Sequence, residues 1–233
     1  MDNSVLIDVR HLVKTFPMEK HNFTALNKIN LKFKTGEFTG LVGPSGSGKT
    51  TLLNVIGSLD APTEGEVRVL GQSLDDLNPK KAANFRNRYL GFIFQTYNLL
   101  PVYNVYENVE YPLLLLKMPA AERKKTVLQS LEWVDLTDKI KSRPSQLSGG
   151  ECQRVSIARA MVKTPKIVLA DEPTANLDAE NSHHILQTML KLNQNLKTTF
   201  IFATHDDKVI QYLRRKIRLD DGQVVGDETI TNH

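Results

Sequence analysis

Gly43-Pro44-Ser45-Gly46-Ser47-Gly48-Lys49-Thr50 has the spacing G-x-x-x-x-G-K-[ST], whose chemistry is the binding of phosphate groups. Its glycines open φ values closed to other residues, so successive backbone N–H groups converge on one anion. Lys49 adds positive charge at the β- and γ-phosphates of a nucleotide, and the Thr50 hydroxyl can ligate Mg²⁺. Elsewhere, the apolar run Ile167-Val168-Leu169-Ala170 delivers two carboxylates, Asp171 and Glu172. The first can hold Mg²⁺ through water, and the second can polarise an attacking water as general base. A third stretch, Leu147-Ser148-Gly149-Gly150-Glu151, places a hydroxyl and backbone amides at a helix start, where the dipole favours anions. Ser148-x-x-Glu151 equally reads as a capping box, which needs no ligand.

These groups need a scaffold. Residues 37–42 read as a buried strand entering the glycine loop. Thr51 and the residues after it, to 56, read as a helix leaving the loop with its positive end at the phosphates. Before the loop, alternation predicts strands over 5–9 and 29–33, separated by polar residues 18–24. After it come a turn at 61–65, a strand at 66–70, a charged helix at 79–88 and a buried strand at 90–95. Strand signals then stop. Helical patterns cover 105–116, where Pro112 should kink or break the helix, and 120–134. Residues 149–162 read as a helix with Val155, Ala158, Met161 and Val162 on its apolar face, and 167–170 as a strand. A helix at 179–196 and a strand at 198–203 follow, and the tail from Glu228 reads as frayed. Such alternation implies an α/β fold with a mostly parallel sheet.

The chain of 233 residues suffices for one large domain, or a core with a smaller subdomain. Its 40% hydrophobic and 24% charged residues are those of a globular protein, and the net charge of +4 is only mildly basic. A single cysteine, Cys152, rules out an internal disulfide, suits a reducing compartment and is expected to be a small buried filler. No signal peptide is expected from residues 1–5. The longest candidate apolar run, residues 113–116, is far below the roughly 18 residues a membrane span needs. His11, His21, His183, His184 and His233 form no metal-ligand pattern with one another or with Cys152, and are expected at the surface.

Leu147 to Glu151, continued by Gln153-Arg154-Val155-Ser156-Ile157-Ala158-Arg159-Ala160, resembles the signature of the ATP-binding cassette (ABC) superfamily. The resemblance extends over residues 5–225. It implies a P-loop NTPase core, with a mostly parallel sheet and an antiparallel β subdomain, plus a helical subdomain. A single domain is expected, its core about 1–95 and 147–233 and its helical part about 96–146. The resemblance further implies that residues 43–51 bind ATP and that Phe16 stacks on adenine, where the family more often has tyrosine. Gln95 would contact Mg²⁺ or the lytic water, with Thr50 and Asp171 as the other metal-side residues. Asp178, in Asn176-Leu177-Asp178, matches the family's D-loop. His205, in Thr204-His205-Asp206, would hydrogen-bond the γ-phosphate. Leu147, Ser148, Gly149, Gly150 and Glu151 would act in trans, on ATP held by a second copy in a head-to-tail homodimer. Glu151 stands where glutamine is commoner, and no group needed for hydrolysis is missing.

An ATPase of this kind drives a separate integral membrane permease, docked near the segment after Gln95, from the cytoplasmic face of the inner (plasma) membrane. Residues 57–65, 91–95 and 107–109 resemble those of the lipoprotein-releasing, macrolide-export and cell-division (LolD, MacB and FtsE) ATPases. Export or extraction by a bacterial transporter is the expected work. The alternatives are a mechanotransmitting cell-division ATPase, or a soluble ABC ATPase acting on DNA or ribosomes. The long coiled coil or tandem cassette of the soluble type is absent, so no nucleic-acid partner is expected. A lone kinase or small GTPase would have no use for Leu147 to Glu151, and the N-K-x-D sequence of guanine binders is absent.

Overall fold

The structure, a computed structural model, describes residues 5–19 and 22–230. His21, His233 and the end of the tail lie outside them. The strands are β1 (Val5–Pro17), β2 (Asn22–Lys34), β3 (Phe38–Val42), β4 (Glu64–Val69), β5 (Gln72–Ser73), β6 (Leu90–Ile93), β7 (Ile167–Asp171), β8 (Thr199–Thr204), β9 (Arg215–Asp220) and β10 (Gln223–Thr229). The helices are α1 (Lys49–Ile56), α2 (Pro79–Tyr89), α3 (Val105–Leu115), α4 (Ala120–Glu132), α5 (Gly149–Met161), α6 (Ala179–Leu196) and the short α7 (Asp207–Ile210).

The strands form two sheets. One is antiparallel, in the order β2-β1-β4-β5, and the other runs β10-β9-β3-β8-β7-β6. In the second sheet, β9, β3, β8, β7 and β6 are mutually parallel, and only β10 is antiparallel. This is the mixed α/β architecture that the alternation of elements implied.

Burial follows the two-residue period of a strand. In β7, Ile167 and Leu169 face a core shared with α1 and the antiparallel sheet, while Val168 and Ala170 face a second core shared with α3, α4, α5 and α6. Phe200 and Phe202 of β8 join the second core and Ile201 and Ala203 the first. A sheet covered on both faces requires unbroken apolar strands, which is why 167–170 and 199–203 show no polar alternation.

Three sequence expectations change. The first two strands are each 13 residues long, because the hairpin ladder continues through polar pairs such as Thr15 with Thr24. The tail is not frayed at Glu228, since Glu228 and Thr229 pair with Lys216 and Arg215 in β10. Pro112 does not end its helix: α3 continues through it, and Leu116 N–H still donates to the Pro112 carbonyl at 3.2 Å. Burial of Val105, Val109 and Leu113 on the core side outweighs the one backbone bond a proline removes. Buried Asn108 adds to this, its side chain bonding Leu100, Tyr103 and Asn104. The readings of surface histidines and a buried cysteine hold for the described residues. His11, His183 and His184 are exposed, and Cys152 is buried.

Lys163, just past α5, donates to the Arg86 carbonyl at the end of α2 at 3.2 Å. Burial pulls its pKa from the usual lysine value down to about 8. Between about 8 and the ordinary value, the unfolded chain binds more protons than the folded one, so stability rises with pH across that window. Lys163→Met should therefore stabilise the protein by on the order of 2 kcal/mol at pH 7, with the advantage fading as pH rises toward the ordinary lysine range. Urea unfolding of both proteins across that range measures it.

Candidate active site

β3, β8, β7 and β6 are neighbours in that order, so whatever follows each strand emerges side by side at the sheet's carboxyl edge. Register makes this concrete. Val42 pairs with Thr204, Asp171 with Ala203, and Ile93 with Ala170. The phosphate loop, His205, the Asp171–Glu172 pair and Gln95 therefore meet at one cavity of about 400 Å³. Ser45, Gly46, Gly48, Lys49, Thr50 and Thr51 line one side of it, and Gln95, Asp171, Glu172, Ala175 and His205 the other.

The loop's glycines have different reasons. Gly48 caps α1 with φ of 98°, in the left-handed region, and no side chain caps that end. No acidic residue sits in the first turn of α1 itself, so that turn adds no negative charge of its own at the helix's positive end. Gly43 has no positive φ; it is needed for space, since a Cβ there would lie 2.1 Å from the Leu219 carbonyl oxygen. Gly43, Pro44 and Ser47 belong to the loop but are not among the residues that line the cavity. The buried Lys49 ammonium donates to the Gly43 and Pro44 carbonyls, each at 2.8 Å, and lies 3.5 Å from the Ser47 hydroxyl. Desolvation pulls the Lys49 pKa down, against the opposing pull of Glu172 and Asp171.

Thr50 donates its hydroxyl to Asp171 Oδ1 at 3.0 Å. Burial pushes the Asp171 pKa up, opposed by this hydrogen bond. Glu172, the next residue, has φ of 44°, so the chain turns sharply as it leaves the sheet. Its carboxylate accepts from Thr204 Oγ1 at 3.2 Å and meets His205 Nδ1 at 2.5 Å. Asn176 joins this edge by donating to the Gln95 carbonyl at 3.0 Å. Thr204 and Asn176 hold groups of the site in place, and the sequence offered no signal for either beyond their neighbours.

Other expected residues lie apart. Phe16 is not among the residues lining the cavity. Its ladder partner Phe23 is, with Ala25, while Lys14 lies 4.9 Å over the Phe16 ring. Leu147 to Glu151 do not line it either. Ser148 and Gly149 are exposed at the start of α5, and Ser148 and Glu151 complete the capping box. Asp178 caps α6, accepting from the Asn181 backbone and side chain at 2.8 and 2.6 Å, and the backbone bond lowers its pKa.

A glycine-rich loop, a helix N-terminus and an acidic pair at the carboxyl edge of a parallel sheet define a P-loop nucleoside triphosphatase. The model of the ABC transporter family matches residues 26–175. Over 229 residues the chain is 42% identical to an uncharacterized ABC transporter ATP-binding protein of Methanocaldococcus jannaschii, MJ0796, covering 97% of each. It is 41% identical to the lipoprotein-releasing system ATP-binding protein LolD of Buchnera aphidicola, covering 98% of this chain and all of that one. Among solved structures it is similar to a dimeric post-hydrolysis state of MJ0796 bound to ADP and Pi. That likeness has a TM-score of 0.90 at 40% identity and covers 98% of this chain and all of that one. The chain belongs to the ABC transporter family and is an ATPase of the ABC cassette type.

The two roles of glycine separate on substitution. Gly43→Ala should cost about 2–3 kcal/mol, because backbone must shift to admit the methyl. Gly46→Ala, with φ of 80° and open space around its Cβ, should cost only about 1 kcal/mol. Urea titration of the two variants distinguishes them.

Proposed function

We propose that this chain is the ATP-hydrolysing subunit of a bacterial transporter, working as a head-to-tail pair that drives a separate membrane permease. One observation carries the chemistry: Glu172, held by Thr204 and His205, shares one cavity with Lys49, Thr50 and Asp171. Lys49 and the loop amides hold the triphosphate, and Glu172 takes the proton of a water attacking the γ-phosphorus in line. His205 faces the same phosphate, and Phe23 or Phe16 receives the base. The oxygen donors Thr50, Asp171 and Gln95 are those a Mg²⁺ ion prefers, and Thr50 already contacts Asp171. Mg²⁺, when bound there, would neutralise charge on the β- and γ-phosphates.

Exposure of Ser148 and Gly149, away from the cavity of their own chain, supports their acting on a partner's nucleotide. The dimeric cassette structures similar to this chain support the same arrangement. ATP would then close the pair and hydrolysis reopen it. Among the described residues no helix is long and apolar enough to cross a membrane, which suits a peripheral subunit at the cytoplasmic face. After Gln95, Leu99 packs on the core, while Val102, Tyr111, Leu114 and Leu115 are exposed and form the better docking face for a permease. The LolD relatives favour lipoprotein release as the work performed.

Glu172→Gln should retain ATP binding, lose hydrolysis by roughly 10²–10⁴-fold and accumulate as an ATP-bound dimer on gel filtration. Near-normal turnover would refute the general-base role. Ser148→Arg and Lys49→Ala should each be inactive as homodimers, yet regain turnover when mixed, through one intact composite site per mixed dimer. Absence of any recovery would refute action in trans.

A further inference from the structure

Arg159, in the third turn of α5, is more than half-buried and donates its guanidinium fork to two backbone carbonyls. Nη1 reaches Asn98 at 2.6 Å and Nη2 reaches Tyr97 at 2.7 Å. Burial lowers its pKa to about 10. Tyr97 and Asn98 are consecutive non-glycine residues in the left-handed region, with φ of 60° and 48°. L side chains rarely adopt that conformation, and two in succession need something to hold them. Two tight turns precede the fork, Tyr97 N–H donating to Phe94 at 3.2 Å and Asn98 N–H to Thr96 at 2.6 Å. Gln95 lies inside the first of these turns.

The same segment also touches the start of α5: a Cβ at Gly149 would lie 3.0 Å from the Tyr97 phenol oxygen. About three turns further along α5, β6 comes equally close, since a Cβ at Gly91 would lie 2.8 Å from the Ala160 carbonyl. Residues 91–98 thus approach α5 closely at both of its ends.

We propose that Arg159 is a positioning residue for hydrolysis, its fork locking Tyr97 and Asn98 so that Gln95 and the Ser148–Gly149 end of α5 are held in fixed relation. Gln95 serves the nucleotide of its own chain and Ser148 that of the partner. The lock therefore ties the two composite sites of the pair together through one side chain. This rests on the reading of Gln95 and Ser148 proposed above.

The test compares Arg159→Met, Arg159→Lys, the double variant Arg159→Met with Asn98→Gly, and Gln95→Ala. It measures kcat, KM, ATP Kd, Tm and backbone hydrogen exchange over residues 95–100. Arg159→Met should lower kcat about 10–100-fold with ATP Kd within about threefold, and should speed exchange in that segment. Arg159→Lys keeps the charge but not the fork, so it should be impaired as well. Adding Asn98→Gly, which suits the left-handed backbone, should restore part of the lost kcat. Unchanged kcat in a folded Arg159→Met protein would overturn the proposal. So would parallel loss of kcat, ATP affinity and Tm with no recovery from Asn98→Gly. If Arg159→Met does not fold, full activity in Arg159→Lys overturns it. Gln95→Ala separates the two levels. Full turnover in that variant refutes the reading of Gln95, whereas its loss alongside an active Arg159→Met refutes positioning by Arg159 alone.

Discussion

Register between parallel strands is the constraint on which the rest of this molecule depends. Val42 opposite Thr204, Asp171 opposite Ala203 and Ile93 opposite Ala170 fix how far each strand reaches. The groups that follow them arrive at the same height with no further adjustment. A slip of one residue in any pair would turn every side chain of that strand to the other core. Because the two cores take Ile167 and Leu169 on one face and Val168 and Ala170 on the other, the register is held by burial along the whole strand. The geometry of this cavity is a by-product of hydrophobic packing.

Polar groups then refine what packing has set. Lys49 is turned into its own loop by two carbonyls, and Glu172 is fixed by a hydroxyl and an imidazole from the adjacent strand end. Arg159 bonds the carbonyls of Tyr97 and Asn98, and Asn176 bonds that of Gln95. Side chains that grip backbone carbonyls give a loop definite shape. They do so in the segment after Gln95, which has no strand or helix until α3.

The capping box at Ser148 and Glu151 bears on function in a similar way. It completes α5 locally, with Glu151 also 3.4 Å from Lys139, so the exposed hydroxyl and glycine are already ordered before any second molecule approaches. Preorganised groups lose little freedom on binding. A surface that is structurally finished yet lies outside its own chain's cavity is well suited to complete another's.

Much of this was legible in the residues. The glycine-lysine-threonine spacing, the apolar run ending in Asp171 and Glu172, and the serine-glycine helix start are local patterns, and local backbone chemistry determines what they form. So are the strand and helix periods, which located most elements because burial repeats every two or 3.6 residues. Tertiary structure alone decided that α3 runs through Pro112 and that the chain beyond Glu228 is paired. It also placed Phe23 at the cavity in place of its ladder partner Phe16, and set Arg159 on the loop beyond Gln95. Each of these depends on partners far away in the chain, and no period or propensity of the residue itself records which carbonyl, ring or core it will meet.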